Sequence, residues 1–125
     1  MINRAVKLHI GGKEREIKFT IQAIEELEAL LPSRNVFELM TRQTWAINEI
    51  VSAMYCGLKA FDRKILRQTV EQWIMRYVRE NDDGILKLNA YLIAAIGLTG
   101  LAGGEKSAFE DVLKALDVEE ATEGK

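Results

Sequence analysis

Few residues in this chain have side chains suited to covalent or proton-transfer chemistry. There is one histidine, His9, and one cysteine, Cys56. His9 lies on the polar side of an alternating strand pattern, which reads as a surface position. Cys56 falls in mid-helix among apolar residues. There a cysteine acts as a small hydrophobe, because a reactive thiolate needs an electropositive, partly exposed setting. One His and one Cys do not supply a zinc ligand set, and a lone cysteine permits no internal disulfide. No catalytic, cofactor-binding or metal-ligating residue is expected.

Other groupings invite chemical readings that their context weakens. Gly11-Gly12-Lys13 suggests a phosphate loop, but it lacks the GxxxxGK[ST] spacing and precedes a strand, so no helix N-terminus points at an anion. Gly97, Gly100, Gly103 and Gly104 follow a helix rather than a strand, which reads as helix termination. Glu25, Glu26 and Glu28 cluster on one helix. A pair of acids for hydrolysis needs a pocket that separates their pKa values, and adjacent helical glutamates read instead as a solvated face. Arg63, Lys64 and Arg67 are the densest basic grouping. Ile65 and Leu66 interrupt it, so it reads as a helix entry rather than a nucleic-acid patch.

The bulk properties are those of a globular protein of ordinary size. The chain has 125 residues, 48% of them hydrophobic and 29% charged, with 17 basic against 19 acidic side chains and a formal charge of −2. That is one domain able to bury a core without disulfides or metals. The longest apolar stretch, Ala90 to Ala102, is too short for a bilayer, which takes roughly 20 residues. The N-terminal residues do not form a signal peptide, and a cytosolic protein is expected.

The elements that must position any site follow from periodicity. Val6, Leu8 and Ile10 alternate with Lys7 and His9, and Ile17 and Phe19 alternate with Glu16 and Lys18. Gly11-Gly12 between them predicts a two-residue type I′ turn. That register pairs Ile10 with Lys13, Leu8 with Arg15 and Val6 with Ile17, and sets Lys7 opposite Glu16 and His9 opposite Glu14. A four-residue loop would oppose Lys7 and Lys18, a destabilising like-charge pair.

Helices are predicted over about 20–31, 36–41, 44–60, 68–80, 84–101 and 107–117. Thr20 caps the first, whose apolar side is Ile21, Ile24, Leu27, Leu30 and Leu31. Pro32 stops it. Asn35 with Glu38 starts the second. Ile47, Ile50, Val51, Met54, Tyr55 and Leu58 form the main stripe of the third. Trp45 and Cys56 lie opposite, suggesting either a helix with neighbours on two faces or an exposed Trp45. The 84–101 helix is apolar nearly all round, and such a helix is buried in its own protein or a partner's. Ala102-Gly103-Gly104 is a joint, Ser107 with Glu110 a capping box, and 118–125 a flexible acidic tail. The predicted fold is α+β, mostly α: an N-terminal β-hairpin (about 5–19) packed on a bundle of about five helices, forming a single domain over 1–117.

This order of features resembles the tail assembly chaperones of long-tailed bacteriophages and the related proteins of gene transfer agents. The resemblance runs from Val6 to about Ile74. It is carried by Lys7-Leu8-His9-Ile10-Gly11-Gly12-Lys13-Glu14, Ile17-Lys18-Phe19-Thr20, Glu25-Glu26-Leu27-Glu28, the aliphatic stretch ending Cys56-Gly57-Leu58, and the segment beginning Ile65-Leu66. The chain departs from the pattern in its longer, more aromatic Trp73–Asn81 helix and in Arg67, which stands where a polar cap is usual.

The resemblance implies a non-enzymatic role in the infected cell. Such proteins coat the long apolar tape measure protein and help tail tube protein polymerise around it, and they are absent from the finished particle. The family often makes a longer form by ribosomal frameshifting, and Glu123-Gly124-Lys125 can be encoded by a slippery heptamer.

A holdase must offer apolar surface. Tyr91, Leu92, Ile93, Ile96, Leu98 and Leu101, with Trp45, are the candidate client-binding surface. The same helix offers a face for self-association, and most of its residues read more readily as those of a core helix. No nucleic acid and no membrane are expected as partners. The competing readings are a virion component, such as a head–tail connector or minor tail protein, and a small nucleic-acid-binding regulator.

Overall fold

Alternation and a Gly-Gly turn produce the hairpin in the predicted register. The computed structural model describes residues 5–123, with side chains described as far as Leu116. Strands β1 (Val6–Ile10) and β2 (Lys13–Ile17) pair antiparallel, with Val6 opposite Ile17, Lys7 opposite Glu16, Leu8 opposite Arg15, His9 opposite Glu14 and Ile10 opposite Lys13. Gly11 and Gly12 have φ of 68° and 87°, the positive values a type I′ turn demands. Val6, Leu8 and Ile10 are buried, as is Ile17. Arg15 shares their face, and its guanidinium lies 3.8 Å from the centroid of the Trp73 ring. Arg15 Nε also donates to Ile10 O at 2.9 Å and Nη2 to Gly11 O at 3.1 Å.

Six helices follow: α1 (Ile21–Leu30), α2 (Val36–Met40), α3 (Ile47–Leu58), α4 (Arg67–Glu80), α5 (Gly84–Gly97) and α6 (Lys106–Glu123). The fold is α+β and mostly α, as predicted. Thr20 Oγ1 accepts from Ala23 N–H at 3.1 Å to open α1. Its buried side is Ala23, Ile24 and Leu27, with Leu31 beyond, while Ile21 and Leu30 are exposed. Asn35 Oδ1 accepts from Phe37 and Glu38 N–H to open α2.

Helix α3 is the axle of the fold. It contacts β2, α1, α4 and α5, and all its residues from Glu49 to Leu58 except Tyr55 are buried. The hairpin docks on it at Gly57. A Cβ there would lie 3.1 Å from the Phe19 ring and 3.2 Å from Ile17 Cβ, and Lys18 N–H donates to Gly57 O at 3.0 Å. The absent side chain lets the sheet approach the helix closely.

Several predicted boundaries move. Helix α3 starts at Ile47 rather than 44, because Ala46 is extended, and Ile47, at the helix end, is 60% exposed rather than part of the stripe. Helix α5 ends at Gly97 rather than 101. Thr99 Oγ1 there donates to Ile96 O and accepts from Leu101 N–H, folding the chain into a turn. Helix α6 starts at Lys106, so Ser107 lies inside its first turn rather than capping it. It continues to Glu123 instead of giving way to a tail at 118; no Gly or Pro occurs between 117 and 123 to break it. Gly124 and Lys125 of the frameshift tripeptide lie outside the described residues.

Gly57→Leu should force Phe19 and Ile17 off α3 and cost about 1–3 kcal/mol. Urea unfolding followed by far-UV circular dichroism measures the loss; an unchanged midpoint would remove Gly57 as the docking point.

Candidate functional site

A helix without a polar face needs cover on every side. In α5 the buried residues are Leu88, Asn89, Tyr91, Leu92, Ala94, Ala95 and Ile96 with the terminal glycines, and α3, α4 and α6 supply the cover. The α6 side is built around Gly97. A Cβ on Gly97 would stand only 2.5 Å from three atoms of the Phe109 ring, and one on Gly104 would stand 3.2 Å from it. Phe109 thus seats on a flat left by missing side chains. Leu113 and Leu116 continue the contact and are buried. Gly103 and Gly104, with φ of 79° and 87°, turn the chain from the end of α5 back along it.

The predicted client surface is therefore not open. Tyr91, Leu92, Ile96 and Leu98 are buried, Ile93 is half-buried, and only Leu101 is exposed, at 37%. Trp45 requires the plainest correction. It is a buried anchor, not an exposed aromatic: its ring Nε1 donates to Leu39 O at 3.1 Å and Arg42 O at 3.2 Å. Its backbone N–H donates to Asn89 Oδ1 of α5 at 2.9 Å. Six of the seven nominated residues thus belong to the core or its margin.

The charged groups hold helices together. Arg42 binds two carboxylates at once. Its Nε and Nη2 donate to Glu38 at 3.1 and 3.2 Å, and its Nη1 and Nη2 to Glu49 at 3.0 and 2.5 Å. Glu49 Oε1 also accepts from Ala46 N–H at 2.7 Å, capping α3. The Arg42 hydrogen bonds hold the buried Glu49 carboxyl below its ordinary pKa against the opposing effect of burial. Glu28 Oε2 accepts from Val36 N–H at the start of α2, and Glu26 pairs with Lys59 at 3.1 Å. Two of the three clustered glutamates therefore join elements rather than simply facing solvent.

Remaining groups are dispersed. His9 is exposed on the hairpin. Cys56 is buried, and burial, followed by the nearby Glu26, pushes its thiol up to about 11, which leaves little thiolate at neutral pH. Arg67 leaves the basic grouping to donate to Ser52 Oγ and Asn48 Oδ1 of α3. Among the described residues there is no cluster of His, Cys, Asp and Glu arranged for a metal ion, and no helix long and apolar enough to cross a membrane.

Comparison with family models, curated proteins and solved structures finds no match to this chain.

Sequence reasoning missed the Arg42 bridge and the Trp45–Asn89 bond. The i,i+4 spacing of Glu38 and Arg42 was a usable signal for half of the bridge. The Trp45–Asn89 bond joins residues 44 positions apart and has no local signature.

Two outcomes test this arrangement. Gly97→Ala favours helix in α5 by roughly 1 kcal/mol but drives a methyl into Phe109. Amide exchange should accelerate most across 106–116 and less in α5, which keeps its α3 and α4 neighbours; unchanged exchange in 106–116 would mean Phe109 is not seated on Gly97. For Glu49, the folded pKa lies below the unfolded value. Its stabilisation is therefore complete above the ordinary carboxylate range of about 4.3 and is lost as pH falls through the depressed folded value. Urea midpoints between pH 6 and pH 3 should fall less steeply in Glu49→Gln than in the parent.

Proposed function

We propose that the protein is a tail assembly chaperone of a long-tailed bacteriophage or prophage. In this reading it is non-enzymatic, works in the host bacterial cytoplasm, holds the apolar helical tape measure protein, assists polymerisation of tail tube protein, and is absent from the mature virion. Two things support it: the order of motifs between Val6 and Ile74, and the way α5 keeps a large apolar surface under α6.

The α6 cover is the observation that carries the reading. A holdase that left α5 bare would aggregate. Here α6 shields it through Phe109, Leu113 and Leu116, while Gly103-Gly104 joins the two helices through a short backbone segment with few side-chain ties. Each fully buried apolar side chain contributes about 1.5–3 kcal/mol, so lifting α6 costs several kcal/mol. A client helix that presents its own apolar face to Ile93, Ile96 and Leu98 restores that burial. The nominated surface thus functions by exchange of α6 for the client, and Trp45 serves as its internal support.

The decisive experiment co-expresses the chain with the tape measure protein encoded beside it. The tape measure protein should become soluble and co-purify. Leu113→Asp/Leu116→Asp, which loosens α6, should raise binding of a hydrophobic dye while far-UV dichroism shows the remaining helices intact. Mass spectrometry of purified particles should not find the chain. A tape measure protein that stays insoluble beside the folded chain would sink the proposal, and stoichiometric presence in particles would favour a connector or minor tail protein.

A further inference from the structure

The β2 edge of the hairpin is met at Lys18 and free of backbone partners along the stretch before it. In a two-residue turn the flanking pair, Ile10 and Lys13, exchanges both hydrogen bonds, and alternate pairs follow suit. The N–H and C=O groups of Glu14 and Glu16 therefore point away from β1. Lys18 has the same parity, and its N–H is taken by Gly57 O at 3.0 Å. Glu14 and Glu16 have no such backbone partner among the described residues, and the sheet has only two strands.

Beside this edge lies a cleft of about 260 Å³. All four consecutive residues Lys13 to Glu16 line it. Successive strand side chains point to opposite faces, so a cavity touches four in a row only when it runs along the strand's edge. Its far wall is apolar, formed by Phe61, Ile65 and Trp73, with Phe61 54% exposed. The charges are biased. Arg15 is committed to the Trp73 ring and to two carbonyls. Among the cleft residues that leaves Glu14, Glu16 and Asp62 against Lys13, with Lys7 opposite Glu16 on the outer face, and none of the three carboxylates is salt-bridged to a described residue.

We propose that the free edge of β2 takes up an extended segment of another polypeptide in which basic and apolar residues alternate. The segment adds a third strand, using the main-chain groups of Glu14 and Glu16. Its basic side chains face the Glu14 and Glu16 carboxylates on one side of the sheet, and its apolar side chains meet Phe61, Ile65 and Trp73 on the other. A second copy of this chain fits poorly. A two-fold β2–β2 pairing centred on Arg15 sets Glu14 against Glu16, and like charges directly opposite are destabilising. No residue of α5 or α6 lines the cleft, so this site and the α6 exchange stand or fall separately.

The test is a titration of the isotopically labelled full chain with a short capped peptide alternating lysine and valine, followed by amide NMR. The Glu14 and Glu16 amides should shift saturably and exchange more slowly with solvent, and the Trp73 indole signal should move. Glu14→Gln/Glu16→Gln, which removes both charges without setting a lysine opposite Lys7, should weaken binding roughly tenfold while leaving the spectrum of α1–α6 unchanged. A peptide of the same sequence N-methylated at alternate residues, made in both frames, should not bind in the frame that blocks the shared bonds. Absence of a saturable shift across 13–17 would overturn the proposal, with the carboxylates then serving only to guard the edge. Equal binding of both methylated peptides would overturn it in favour of simple charge attraction. Protection of the Glu14 and Glu16 amides that grows with protein concentration in the absence of peptide would assign the edge to a second copy.

Discussion

An α-helix that is apolar on every side admits no place on a surface, and the architecture follows from that constraint on α5. One neighbour buries one stripe; three bury most of the cylinder, leaving Leu86 in the first turn 53% exposed. Helices α3 and α4 supply two sides and α6 the third. The central position of α3 is a consequence. It must serve α5 on one flank and the hairpin on the other, which is why it is buried from Glu49 to Leu58 apart from Tyr55. Where it meets the hairpin it needs Gly57, and where α5 meets α6 it needs Gly97. Two missing side chains thus permit the close approach of the hairpin to α3 and of α6 to α5.

Polar interactions do a different job. They fix the irregular segment between α2 and α3, which packing alone leaves undetermined. Arg42 grips Glu38 on α2 and Glu49 on α3, while Trp45 reaches α2 through Leu39 O and α5 through Asn89. Bidentate arginine–carboxylate contacts specify geometry as well as adding energy. Burying the Glu49 carboxylate would be costly without them. The segment from Arg42 to Ala46 is consequently a tied connector, although its residue types allow a helix from Thr44.

The hairpin was legible in the sequence to the residue, and Trp45 was not, for physical reasons. Strand side chains repeat every two residues and a two-residue turn admits one register, so local spacing determined which residues pair. The burial of α5 was equally readable, because composition alone says that such a helix needs cover. What covers it, and how completely, depends on contacts remote in sequence. Trp45 sits on the far side of the α3 stripe by helical periodicity, and that periodicity did not apply because the chain there is extended. Likewise Ile47 counted as core only while α3 was taken to begin at Thr44. The candidate client surface shared this weakness. Apolar residues on a helix reveal a need for burial, and nothing in their spacing distinguishes burial by a partner from burial by α6.

That distinction bears on what α5 can do. Any ligand for its apolar face competes with a segment already tethered beside it. The apparent affinity is the intrinsic affinity reduced by the fraction of molecules in which α6 has left. Because the hydrophobic effect is non-directional and scales with area, a weakly matched surface does not displace α6; only a partner burying at least as much apolar area does. On the proposed reading, the cap would filter by size and continuity of apolar surface rather than by sequence, which suits a long helical client better than a small ligand. The β2 edge is the opposite case. It offers few groups, but main-chain hydrogen bonds are directional and the flanking glutamates select charge. If both proposals hold, one chain carries a surface that discriminates by area and another that discriminates by pattern, with the buried α3 helix lying between them.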